Sequence, residues 1–156
     1  MPPTLQVKEA EDLFQKGLRF LQTNHLEQAA TLFETALTLE QKSGSEPSPK
    51  VLSYCGYTMA FARKKYNDGL QLCKKAVEKE FFNPDLFFNL GDIYLARGDK
   101  KNAHLAFKRG LALAPEHPKI RARIKEMGVR KGPVLSFLDR ENFINRFLGA
   151  LFQEND

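Results

Sequence analysis

Three glycines, Gly17, Gly56 and Gly91, divide this chain into segments that match residue for residue. Around Gly91 the order is Phe87, Leu90-Gly91 and Tyr94, then Ala103, Phe107, Gly110 and Pro115. Around Gly17 it is Leu13, Gly17 and Phe20, then Ala29, Phe33 and Ala36. That copy departs at Lys16, where a Leu is expected, and at Gln41, where a Pro is expected. The middle copy is the weakest: Leu52, Cys55-Gly56 and Met59, then Gly69, Cys73 and Ala76. The glycine spacings of 39 and 35 residues are five and one more than a period of about 34. The surplus of five fits the polar stretch 43–49, and the surplus of one fits the turn around Arg63–Asn67. A period of this length means stacked helix pairs, no one of which can bury its apolar face alone. The small residues mark where two helices touch, and the large ones fill the space around those contacts.

The pattern resembles the tetratricopeptide repeat, a helix–turn–helix unit, over roughly residues 8–118. The resemblance implies an all-α, right-handed superhelix of three helix pairs. The expected organisation is a disordered N-terminus (1–7), a three-repeat domain with a capping helix (8–128), and an extended linker with an amphipathic helix (129–156). Capping signals agree. Asn83-Pro84 places an N-cap before a first-turn proline. Asn67 precedes the second helix of repeat 2, and Gly98-Asp99 ends one helix and caps the next. His117-Pro118 starts a capping helix ending at Gly128, whose polar outer face is expected to carry Arg121, Arg123, Lys125 and Glu126.

Composition supports one soluble domain. The 156 residues are 42% hydrophobic, with thirteen Phe, and 28% charged, which is enough to bury a core. The net charge of +5 is too mild for a dedicated nucleic-acid binder. The N-terminus has no signal-peptide pattern, and no apolar run approaches the ~20 residues a membrane span needs. A cytoplasmic protein is expected. Two Cys cannot make a disulfide framework. Cys55 and Cys73 fall at packing positions, as buried reduced thiols or as a regulated pair. His25, His104 and His117 stand apart, and no metal, phosphate-loop or nucleophile motif is present. The expectation is a non-enzymatic protein without cofactor or metal. The basic run Lys119, Arg121, Arg123, Lys125, Arg130 and Lys131 lacks interleaved aromatics. It reads as a solvated cap face, with an acidic protein or RNA as the other openings.

The resemblance further implies a concave groove made by the first helix of each repeat, where peptides bind. The residues expected there are Glu11, Phe14, Leu18 and Leu21; Ser53, Tyr57 and Phe61; and Asp85, Phe88, Asn89, Asp92 and Leu95. Apolar residues with no core to fill imply a covered groove, unless they pad neighbouring helices. Some family members clamp a peptide carboxylate with Lys and Asn. The matching positions here, Phe14, Leu18, Tyr57 or Thr58, Asp85 and Asn89, hold no cation. An apolar peptide or helix is therefore the expected partner, met by an acidic edge at Asp85 and Asp92. The alternative is a holding chaperone. Type III secretion chaperones are similar in size and repeat number, but differ in charge balance and in lacking a long tail.

Beyond Gly128, Gly132-Pro133 block a helix and Asp139 can cap one. Phe143, Ile144, Phe147, Leu148, Leu151 and Phe152 then form a narrow apolar stripe at helical period. Arg140, Asn142, Asn145 and Arg146 lie opposite. The stripe can pack on the chain's own solenoid, on a partner or second copy, or on a membrane surface. The last is disfavoured by a polar face with only two cations.

Overall fold

The computed structural model describes residues 5–44 and 46–128. Among the described residues there are seven helices and no strand: α1 (Leu5–Gln22), α2 (Leu26–Lys42), α3 (Pro49–Arg63), α4 (Tyr66–Lys79), α5 (Pro84–Ala96), α6 (Lys100–Leu113) and α7 (Pro118–Glu126). Residues 5–7, expected to belong to the N-terminus before the domain, are helical in α1. The linker and amphipathic helix expected over 129–156 lie outside the described residues. Helices α1/α2, α3/α4 and α5/α6 form three pairs. Each pair packs on the next through α2·α3, α4·α5 and α3·α5, and α7 closes against α5 and α6.

Three of these helices start the same way. Ser48-Pro49, Asn83-Pro84 and His117-Pro118 each put a capping side chain before a proline. Ser48 Oγ accepts from the Val51 N–H at 3.4 Å, Asn83 Oδ1 from the Asp85 N–H at 3.1 Å, and His117 Nδ1 from the Ile120 N–H at 3.3 Å. The missing proline N–H costs nothing in a first turn, where it would have no partner. Helix α4 starts at Tyr66, one residue before the expected Asn67 cap, behind Lys64 in the left-handed region at φ 59°. That residue absorbs the extra position of repeat 2.

The helix crossings explain both the period and its weak middle copy. A Cβ on Gly17 would lie 2.6 Å from the Phe33 ring, and one on Gly91 would lie 2.5 Å from the Phe107 ring. Repeats 1 and 3 therefore cross glycine against phenylalanine. In repeat 2 the ring is replaced by Cys73, and the backbones close up: a Gly56 Cβ would lie 2.6 Å from the Gly69 carbonyl oxygen. A carbonyl cannot swing aside as a ring can. Gly56→Ala should therefore cost about 1–3 kcal/mol. The urea midpoint checks this, and an unchanged midpoint would contradict the crossing.

Helix α7 repeats the first half of a repeat. Pro118 follows Pro84 by 34 residues, and Ile120 is as fully buried as Leu86. Gly110 makes the room, since a Cβ there would collide with Ile120 Cδ1. The core is continuous across units. Phe14 and Phe33 of pair one pack with Val51 and Cys55 of pair two. Leu70 and Cys73 pack with Leu90 and Ile93, and Phe107 packs with Ile120. Helix α5, with neighbours on both sides, buries all eight residues from Leu86 to Ile93. Cys55 and Cys73 are unpaired and buried. Burial pushes both thiols up to about 12, so neither is a nucleophile at neutral pH.

Candidate functional site: the concave groove

The first helices of the pairs supply one wall each. A groove of about 520 Å³ opens between them, within the range of small-ligand sites. Its apolar lining is Leu18 and Leu21 from α1, Leu26 from α2, Tyr54, Tyr57 and Phe61 from α3, and Phe88 from α5. Helical spacing accounts for the row on α3. Tyr54, Tyr57 and Phe61 follow at intervals of three and four, so they share one face. The rings touch in sequence: Tyr57 and Phe61 have centroids 4.6 Å apart, and Tyr57 and Phe88 6.4 Å apart. Phe88 is flanked by the stacked His117 ring at 6.2 Å and by Lys119 Nζ at 5.6 Å. Gln22, Asn24, Asn89 and Lys119 supply the polar lining.

Behind the lining lies a hydrogen-bonded layer. Asn89 Nδ2 donates to Ser53 Oγ at 3.0 Å, both residues being buried. Asp92 is 3% exposed and accepts from Arg123 Nε at 2.6 Å and Nη2 at 3.1 Å, and from the Tyr57 hydroxyl at 3.1 Å. The pairing with Asp92 raises the Arg123 guanidinium further above its already high value. Burial, and after it the Asp92 charge, raises the Tyr57 phenol, so this hydroxyl keeps its proton and donates. His117 Nδ1 caps α7, which leaves Nε2 to carry the proton and donate to Asp85 Oδ1 at 3.1 Å.

Of the residues expected in the groove, Leu18, Leu21, Tyr57, Phe61 and Phe88 do line it together. Three do not. Phe14 is 2% exposed and lies between the helix pairs, 5.4 Å from Phe33 and 5.5 Å from Tyr54 by ring centroids. Leu95 packs on the cluster around Phe107 and Ile120. Asp92 is no acidic edge, because Arg123 and Tyr57 occupy its oxygens; Asp85 pairs with His117 but its side chain stays 47% exposed, beside Leu18 and Tyr54 at the margin of the groove. Arg123 correspondingly does not belong to a purely solvated cap face. Among the described residues, the lining also holds the cation Lys119 and the ring of Tyr54, neither of which the spacing of the first helices points to. The period itself held the signal. Lys119 and Arg123 stand 34 residues after Asp85 and Asn89, on the half-repeat that α7 forms. Among the described residues, no group of His, Cys, Asp and Glu could hold a metal ion, and no helix is long and apolar enough to cross a membrane.

Residues 84–117 match the profile of the tetratricopeptide repeat family. No curated protein sequence matches the chain. Several solved structures do. The tetratricopeptide domain of Arabidopsis OM64 aligns with a TM-score of 0.64 at 16% identity, over 78% of this chain and 96% of that one. The first such domain of Spaghetti (RPAP3), bound to the HSP90 peptide SRMEEVD, aligns at 0.62 and 16% identity, over 78% and 92%. PcrH, in complex with the chaperone binding region of PopB, aligns at 0.57 and 21% identity, over 76% and 93%; a further PcrH structure is from Pseudomonas aeruginosa. At these identities the likeness is one of fold. One repeat is thus matched in sequence, over residues 84–117, and the array of helix pairs has the fold of tetratricopeptide domains.

Proposed function

We propose that this protein is a non-enzymatic interaction module whose concave groove holds an apolar segment, extended or helical, of a protein partner. The observation that carries the reading is the row Tyr57, Phe61 and Phe88, facing Leu18 and Leu21 across one open groove. Phe88 is already buried beside His117 and Lys119, but Tyr57 and Phe61 are only half-buried, and their remaining contact with water is lost when something apolar lies on them. Gln22 and Lys119, both exposed in the lining, give an occupant polar anchor points beside that row. The similarly folded RPAP3 domain holds a peptide, and PcrH holds a region of PopB, which supports the same use of the fold here. The resemblance to PcrH also keeps a second reading, a holding chaperone for an apolar client. The buried unpaired thiols suit a reducing compartment such as the cytoplasm.

The test is fluorescence anisotropy with a panel of labelled apolar peptides, some helical and some extended. Phe61→Ala should weaken the best binder about 30-fold, as loss of a buried aromatic anchor does. Lys101→Ala, exposed on α6, should change it little. Absence of any binder, or equal loss from both variants, would refute a groove site. Suppression of a client's aggregation would favour the chaperone.

A further inference from the structure

Among the described residues the groove has one charged residue in its lining, Lys119, and the chain holds a segment that suits it. We propose that the apolar stripe within residues 139–152 docks in this chain's own groove, as a built-in competitor for the external segment; this rests on the groove reading above.

Three observations support the occupant. The first is reach. The described chain leaves α7 at Gly128, and Asp139 follows eleven residues later. Extended, that link spans about 35 Å at ~3.3 Å per residue. The groove is lined by Lys119 of α7 itself, and its α1 end lies two helix spacings beyond α5, about 20 Å away. Gly132-Pro133 within the link favour a turn over a continuing helix.

The second is apolar match. Phe143, Ile144, Phe147, Leu148, Leu151 and Phe152 share one narrow helical face. That face meets a groove whose opposing sides are Leu18 and Leu21 on one, Tyr57, Phe61 and Phe88 on the other. The third is charge. Among the described residues the groove lining holds Lys119 and no acid, with Asp85 at its margin paired to His117. The stripe is followed by Gln153-Glu154-Asn155-Asp156, two acids and no base. This sets the direction: the end of the stripe lies by Lys119 and Phe88, and its start by Leu18 and Leu21.

Tethering through a short link gives the segment an effective concentration in the millimolar range. The chain's own groove is therefore occupied before a second copy's at ordinary protein concentrations. Burial of the stripe is opposed by the entropy of ordering the fourteen residues. The docked segment is thus displaceable by a partner with better contacts.

Photo-crosslinking in the full chain tests this without any external peptide. Gln22 lines the groove and is exposed, so Gln22→benzoylphenylalanine leaves the core untouched. Irradiation should join position 22 to residues within 139–152 inside the monomer. The same probe at Lys101, outside the groove, should not. Adding Phe147→Asp with Leu151→Asp should lower the yield about tenfold or more, since unpaired charges are excluded from an apolar site. Crosslinks to 139–152 found only in covalent dimers, or none to that segment, would overturn the proposal. A positive crosslink with no external binder would instead remove the partner reading and leave self-docking in place.

Discussion

Phe14→Ala is expected to destabilise the protein by about 3–5 kcal/mol while leaving the groove lining in position. The sequence pattern puts Phe14 on the same helix as Leu18 and Leu21, yet its ring turns between the helix pairs. There it meets Phe33 and Tyr54 at centroid distances of 5.4 and 5.5 Å, within a cluster that joins repeat 1 to Val51 and Cys55 of repeat 2. Truncation would open a void at the junction of two repeats. In a solenoid each unit is stable only through its neighbour, so the loss is not confined to α1. Against a typical total of 5–15 kcal/mol, the effect is large. Urea unfolding measures it. A variant with wild-type stability but weakened peptide binding would place Phe14 in the groove instead.

The second large effect is expected from Arg123→Ala. Asp92 is buried among Tyr57 and the Arg123 guanidinium, 31 residues away along the chain. Removing the cation strands a buried carboxylate, which costs about 2–5 kcal/mol in comparable pairs. The lower part of that range applies, because the Arg123 side chain is 35% exposed and water can follow it out. Adding Asp92→Asn should recover part of the loss, since an amide needs no counter-charge. Hydrogen exchange should show α7 opening first in the single variant. Equal stability of wild type and Arg123→Ala would mean that the pair does not hold α7 on α5.

What the sequence made legible was the part of the fold that repeats. Gly17 with Phe33 and Gly91 with Phe107 are paired by spacing alone, and the three proline-led helix starts follow from local capping chemistry. Two kinds of feature were not legible. Helix α5 is buried without interruption from Leu86 to Ile93, so a helical wheel shows no contrast between its core side and its groove side. On α1 the buried residues Ala10, Phe14 and Gly17 fall at helical spacing, so Phe14 belongs to the core face that Gly17 marks and not to the groove. Pairings between units, such as Asp92 with Arg123 and Asp85 with His117, leave no local pattern, because their partners lie on a helix that looked like a solvated cap. Only the recurrence of the period into α7 connects them, with Lys119 and Arg123 in the places of Asp85 and Asn89.

The account's central claim is that binding occurs on the inner face of the array. Its most direct test is a titration of isotope-labelled protein with the tightest-binding apolar peptide, following methyl and aromatic signals by NMR. The account predicts that shifts concentrate at Leu18, Leu21, Tyr57, Phe61 and Phe88, with Leu105 on the exposed side of α6 unaffected. Shifts centred on Leu105, or on the exposed Phe81–Phe82 turn between α4 and α5, with the inner residues silent, would contradict it.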